Sequence, residues 1–374
     1  ALASGFATVE LHLSQGHDRA VNAGLEQQPN VLAGRAGSLG RIVLNRPKAL
    51  NALTIEMVGA INAALDMFEN DAEITAVLLT GAGERGLCAG GDIRAIYESG
   101  KAGSPLAEAF LRAEYRLNDR ISKFSKTYIA IMNGIVMGGG VGLSAHGSHR
   151  IVTDATRLAM PETGIGFFPD VGATWLLSRP GSEFGTYIGL TGSQIGASDA
   201  VAAGFADYHI PRAGLDALIK ALSNLPTGST AELTEQVIAR FAQAPAGGLN
   251  QEARATIDRA FRHDTIEAIL AALTSERSEF ADATRALMLS KSPTSLKVTL
   301  RLLRAGRRSP DLETCLAREF SGSPALLASK DFYEGVRAAV IDKDRNPKWT
   351  PSNDEEVSEV TVDRYFVPHP RPLF

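Results

Sequence analysis

A chain of 374 residues and 39.7 kDa has room for one large domain or two ordinary ones, with a substantial core. Its formal charge of −4, pI near 6.0 and dispersed basic residues argue against a nucleic-acid partner and favour small-molecule chemistry. Two cysteines, Cys88 and Cys315, exclude a disulfide framework, and no cysteine/histidine cluster has zinc spacing, so no metal is expected.

Residues 1–33 include a polar, turn-rich piece, SQGHDRAVNAGLEQQPN, without a clear period; it reads as a loosely assigned edge or hairpin. From Gly40 the pattern becomes regular. The strand RIVLN and a proline-containing turn lead to TIEMVGAINAALDMFEND, where Met57, Ile61, Leu65 and Phe68 recur at helical spacing behind Thr54 as N-cap. A buried-type strand, AVLLT, follows at 76–80, then a glycine turn, a helical stretch through Glu114 and Asn118, the strand YIAIMNG and a second glycine turn. Short strands HRIVT and RLAM continue the alternation, which implies an α/β core over 34–215 with helices on largely parallel sheets. Residues 216–374 read as mainly helical, with ALIKALSNL, AELTEQVIARFAQA and TIEAILAALTSERSEFADATRALML. No internal repeat is visible.

The two glycine turns carry the most information. GLCAGGDIRAIYESG at 86–100 and NGIVMGGGVGLSAHG at 133–147 each place glycines ahead of an amphipathic stretch. Glycine lets backbone N–H groups approach a ligand, and a helix start adds unpaired donors and a favourable dipole. Two such turns face to face could hold one oxygen between two N–H groups, the requirement for chemistry at a thioester carbonyl. Either turn alone is more often ordinary close packing.

Between 157 and 175, RLAMPETGIGFFPDVGATW carries Glu162 and Asp170 in a stretch otherwise nearly free of charge. Glu162 follows Pro161 among Met160, Ile165, Phe167 and Phe168, so burial that raises its pKa is expected, against the plainer reading of a surface carboxylate. Asp170 reads equally as an N-cap for the stretch after it. Pro169 keeps the two carboxylates off one helix face, so a loop must bring them together. Asp92 reads as a helix cap, and Glu114 in RAEYRLND as a solvated helix charge. Gly142 to His146 almost spells a nucleophile elbow, but His146 occupies the final glycine position; His146 and His149 lack further ligands. Neither a dinucleotide fingerprint nor a Walker A lysine is present.

Together with LNRPKALNALT, KSPTSLKVTL and DFYEGVRAAVIDKDRNPKW, these segments resemble the crotonase (enoyl-CoA hydratase/isomerase) superfamily, and within it the 3-hydroxyisobutyryl-CoA hydrolases. The resemblance implies a spiral of ββα units with a helical C-terminal region. It implies Gly91 and Gly139 as oxyanion donors, Glu162 and Asp170 as the working carboxylates, Glu114 and Ala89 as substrate contacts, and Lys48, Ala49 and Leu50 as the loop lining the CoA adenine and phosphates. Hydratases of the superfamily carry a second glutamate three residues past the middle glycine of the second turn; here that position is Gly142, which cannot transfer a proton. The implied reaction is therefore hydrolysis of an acyl-CoA thioester, as in valine breakdown, with coenzyme A part of the substrate and no separate cofactor. An enoyl-CoA hydratase/isomerase is the nearer alternative, and a non-catalytic acyl-CoA-binding protein the remote one. No apolar run could span a bilayer and no signal core is present, so a cytoplasmic protein without a membrane partner is expected. A mitochondrial matrix origin stays open, because removing a leader leaves no trace, and homo-oligomerisation stays open too.

Overall fold

The computed structural model describes residues 29–179 and 181–374; the expectation for most of the N-terminal segment lies outside them. Six strands form one sheet in the order β1 (Val31–Ala36), β2 (Leu39–Leu44), β3 (Ala76–Gly81), β5 (Thr127–Met132), β7 (His149–Val152) and β9 (Tyr208–His209). β1 and β2 form an antiparallel edge hairpin, and all later neighbours are parallel. β1 starts three residues ahead of the core boundary suggested at Gly34. A second, parallel sheet joins β4 (Gly86–Cys88), β6 (Ile135–Met137) and β8 (Arg157–Ala159). The chain thus alternates between the sheets, one strand to each, before a helix carries it to the next turn of the spiral.

The six-stranded sheet is buried on both faces, which explains the unbroken apolar runs of its central strands. Val77, Leu79, Tyr128, Ala130 and Met132 join the main core, while Ala76, Leu78, Ile129 and Ile131 point the other way, against Ile210, Leu218 and Leu222. Helix α1 (Ile55–Asn70) buries Met57, Ile61, Leu65 and Phe68. The Thr54 hydroxyl accepts the Met57 N–H at 3.3 Å, a cap contributing about 1 kcal/mol.

After β4 come α2 (Ile93–Lys101) and α3 (Leu106–Ser122), and after β6 comes α4 (Gly139–Ala145). From Leu215 onward the described chain is helical, as the sequence indicates. The run TIEAILAALTSERSEFADATRALML is two helices, Ile266–Glu276 and Glu279–Leu289. Arg277 between them is left-handed (φ 50°), and the Ser278 hydroxyl caps the second by accepting the Ala281 N–H. Among the described residues no helix is long and apolar enough to cross a membrane.

Candidate active site

Parallel pairing of β4 with β6 sets their C-terminal ends side by side, so the glycine turns that follow them meet. A Cβ placed on Gly90 would lie 3.6 Å from the Gly139 nitrogen, and one on Gly138 the same distance from the Gly90 Cα. Gly90 (φ 104°) and Gly138 (φ 48°) are both left-handed, a conformation that glycine adopts without strain. The neighbouring amides are engaged: the Gly90 N–H meets Cys88 Sγ at 3.4 Å, the Asp92 N–H donates to the Leu53 carbonyl at 2.8 Å, and the Val141 N–H to the Gly138 carbonyl at 2.8 Å. The Gly91 and Gly139 N–H groups have no acceptor among the described residues. Asp92 caps α2 through the Ala95 N–H and pairs with Arg46 at 2.9 Å, which is the structural role its sequence suggests.

Both turns open into a cavity of about 740 Å³, lined also by Ala89, Phe110, Glu114, Glu162, Asp170 and Lys291. Glu114 is 2% exposed rather than a solvated helix charge, and its Oε1 occupies the space a Gly139 side chain would need. Glu162 and Asp170 are each 7% exposed and reach the cavity from one irregular loop. A Cβ on Gly138 would lie 3.0 Å from Glu162 Oε1, while Glu162 Oε2 and Glu114 Oε1 are buried without a hydrogen-bond partner. Asp170 does not cap the helix after it, which starts behind Gly172 with no side-chain cap. Its Oδ2 instead accepts the Tyr115 hydroxyl at 2.6 Å.

A fourth carboxyl, Glu319, stands behind Asp170 and is fully buried. Among the described residues none of the four forms an ion pair. Burial, reinforced by the Asp170 charge, holds Glu114 and Glu162 well above the usual carboxylate range. Burial pushes Asp170 up to about 7 and Glu319 up to about 8, despite the hydrogen bonds each accepts. The cluster therefore shares protons at neutral pH, because neighbouring carboxylates without a cation do not all ionise.

The model for enoyl-CoA hydratase/isomerase matches residues 39–366. The chain belongs to the enoyl-CoA hydratase/isomerase family. It is 42% identical over 355 residues to the mitochondrial 3-hydroxyisobutyryl-CoA hydrolase of Danio rerio, covering 94% of this chain and 92% of that protein. Two solved structures align over 92% of the chain: a carnitinyl-CoA dehydratase from Mycobacterium thermoresistibile, with 44% identity, TM-score 0.86 and 98% of its own chain covered, and an enoyl-CoA hydratase from Rhodobacter sphaeroides 2.4.1, with 38% identity, TM-score 0.85 and 100% covered. The spiral core with its helical C-terminal region is the crotonase fold of these neighbours.

The space beside Gly142, where hydratases of this family carry a second glutamate, is filled. A Cβ there would lie 2.8 Å from both Asn118 Nδ2 and Val171 Cβ. Lys48, Ala49 and Leu50 do not line the cavity: Pro47–Ala49 is a 3₁₀ turn next to it, with Lys48 exposed and the Leu50 carbonyl accepting the Ala89 N–H at 3.0 Å. Sequence reading missed Tyr115, Asn118, Lys291 and Glu319. Tyr115 and Asn118 sit on the same helix as Glu114 and read as ordinary helix residues. Lys291 and Glu319 come from the C-terminal region, which also fastens the Glu162 loop through the Ser292 N–H to the Thr163 carbonyl at 3.1 Å and through Gly335 against Ile165.

Proposed function

We propose that the protein is an acyl-CoA thioester hydrolase that converts 3-hydroxyisobutyryl-CoA and water to 3-hydroxyisobutyrate and free coenzyme A. The relative from Danio rerio bears that activity in its name and matches this chain nearly end to end. One observation carries hydrolysis over alkene hydration: Gly142 stands where the second hydratase glutamate belongs, and Asn118 and Val171 fill the room such a side chain would need.

The thioester oxygen accepts hydrogen bonds from the Gly91 and Gly139 N–H groups, whose freedom from other acceptors supports this role. A preorganised donor of this kind contributes roughly 3 kcal/mol in the transition state. Glu162, desolvated beside the turn, attacks the carbonyl carbon. Collapse of the tetrahedral intermediate expels the CoA thiolate, which takes up a proton, and leaves a mixed anhydride that water opens to the acid and the regenerated carboxylate. Asp170 accepts a hydrogen bond from the substrate hydroxyl, with Tyr115 holding its other side in place. Glu114 contacts the acyl group near Gly139, and Ala89 the pantetheine arm. Lys48, Ala49 and Leu50 contact the adenine and phosphates outside the cavity.

Thiol release from 3-hydroxyisobutyryl-CoA, set against loss of the conjugated absorbance of crotonyl-CoA, tests the reading. Rapid thiol release with negligible hydration is expected. Efficient hydration without thiol release would reverse the assignment.

A further inference from the structure

The turn that presents Asp170 is strained. Val171 has φ 54°, a left-handed conformation that a β-branched residue rarely adopts, and Gly172 continues it at φ 78°. Released, Val171 would return to an extended backbone and swing the Asp170 carboxyl relative to the glycine turns.

Three side chains from three different elements hold this turn. The His146 ring, at the end of α4, has Nε2 at 2.7 Å from the Val171 carbonyl; burial keeps the ring neutral, with its pKa pushed down to about 4, so Nε2–H donates. Tyr115 on α3 donates to Asp170 itself. Glu319, on the helix Leu312–Ser321, makes the largest set of contacts: its Oε2 accepts the Gly172 N–H at 2.7 Å, and its Oε1 accepts the Thr174 N–H at 3.1 Å and the Thr174 hydroxyl at 2.5 Å. A fully buried carboxyl with no ion-pair partner among the described residues is an expensive group in a core. Here its two oxygens answer three donors on the chain immediately after the strained residue, at Gly172 and Thr174, a geometry no apolar side chain reproduces.

We propose that Glu319 is a positioning residue for the hydrolysis, clamping the Val171–Gly172 turn so that Asp170 faces the substrate. The inference rests on the proposed role of Asp170. Glu319→Gln keeps the volume but turns an NH₂ group, which cannot accept, toward one of the backbone N–H groups that a carboxyl oxygen accepts, so one arm of the clamp opens. A displacement of about 1 Å at a positioned group is enough to lower turnover by about a hundredfold.

The experiment measures kcat and KM for 3-hydroxyisobutyryl-CoA in Glu319→Gln, in Asp170→Asn and in the double variant Val171→Gly/Glu319→Gln, with thermal melts alongside. Glu319→Gln is expected to lower kcat by at least about tenfold with KM changed less than about threefold, the pattern of an interaction used in the transition state. The double variant is expected to recover at least about threefold of the lost kcat, since glycine adopts φ above zero without the strain the clamp opposes. A folded Glu319→Gln with wild-type kcat, a loss confined to KM, or no recovery in the double variant overturns the proposal. If Glu319→Gln does not fold, Thr174→Val removes one donor and leaves the carboxyl; lowered kcat supports the clamp and wild-type kcat overturns it. Impaired Asp170→Asn with normal Glu319→Gln sinks the clamp alone, whereas normal Asp170→Asn sinks the role of Asp170 and the clamp with it.

Discussion

Restoring the missing hydratase glutamate is the sharpest challenge to the proposed reaction. Even Gly142→Ala places a methyl group 2.8 Å from Asn118 Nδ2 and from Val171 Cβ, closer than real side chains sit. Neither neighbour has room to retreat: Asn118 is fully buried on α3 and Val171 is 1% exposed in the strained turn. Overpacking of this kind costs about 1–3 kcal/mol. At an unfolding entropy near 2 cal/mol/K per residue, that lowers the Tm of a chain of this size by roughly 1–4 °C. Because Val171 adjoins Asp170, thiol release should fall as well. Gly142→Glu adds a fifth carboxyl to a cluster in which no member has a cationic partner among the described residues, so the new group is expected to stay protonated at neutral pH. The expected outcome is a less stable protein with weakened thioesterase activity and no gain of hydration, read by melting curves, thiol release and crotonyl-CoA absorbance. A Gly142→Glu protein that melts like wild type and hydrates crotonyl-CoA would refute both the packing argument and the claim that this position selects the reaction.

Four further outcomes are expected. Gly139→Pro removes the proposed oxyanion N–H, so kcat for thiol release should drop about 10²–10³-fold; a folded variant with wild-type turnover would remove Gly139 from the oxyanion hole. Turnover should go on rising with pH well above the usual carboxylate range, because Glu162 works as its carboxylate and burial raises its pKa; a profile already flat from about pH 5 upward would contradict this. Over the same window these carboxyls should make the fold less stable as pH rises. Asp170 at about 7 and Glu319 at about 8 bind protons in the folded chain that the unfolded chain has lost above about pH 4, so their stabilising contribution is complete below that point and is gone above about pH 8, as melts across the range would report. Finally, single-turnover hydrolysis in ¹⁸O-labelled water, combined with hydroxylamine trapping, should reveal the Glu162 anhydride by label in the Glu162 peptide or by a trapped adduct, and absence of both would favour Glu162 as a general base.

How legible the molecule is depends on the range of the interactions involved. Helix α1 declares itself through Met57, Ile61, Leu65 and Phe68 and through Thr54, because period and cap are both local. The two glycine turns are equally local, and parallel strand pairing then brings Gly91 and Gly139 into one cavity. The even choice between cap and working group at Asp170 has no local answer, since it depends on Tyr115, fifty-five positions away in sequence. Glu319 is harder still: it is an ordinary helical glutamate until Gly172 and Thr174 are folded against it. The break at Arg277 stayed hidden because apolar residues continue at helical spacing on both sides.

The Glu162 loop is tied down by Ser292, Gly335 and Glu319, all contributed by the last third of the chain. During synthesis, the sheets and both glycine turns emerge while these anchors are still unmade. Closing contacts over such separations is slow compared with forming local helices and turns. A growing chain can therefore acquire most of its secondary structure while remaining inert toward thioesters, and competence arrives only with completion. In refolding, recovered activity should lag the far-UV signal, so that the protein's topology acts as its own check against a half-made enzyme consuming coenzyme A esters.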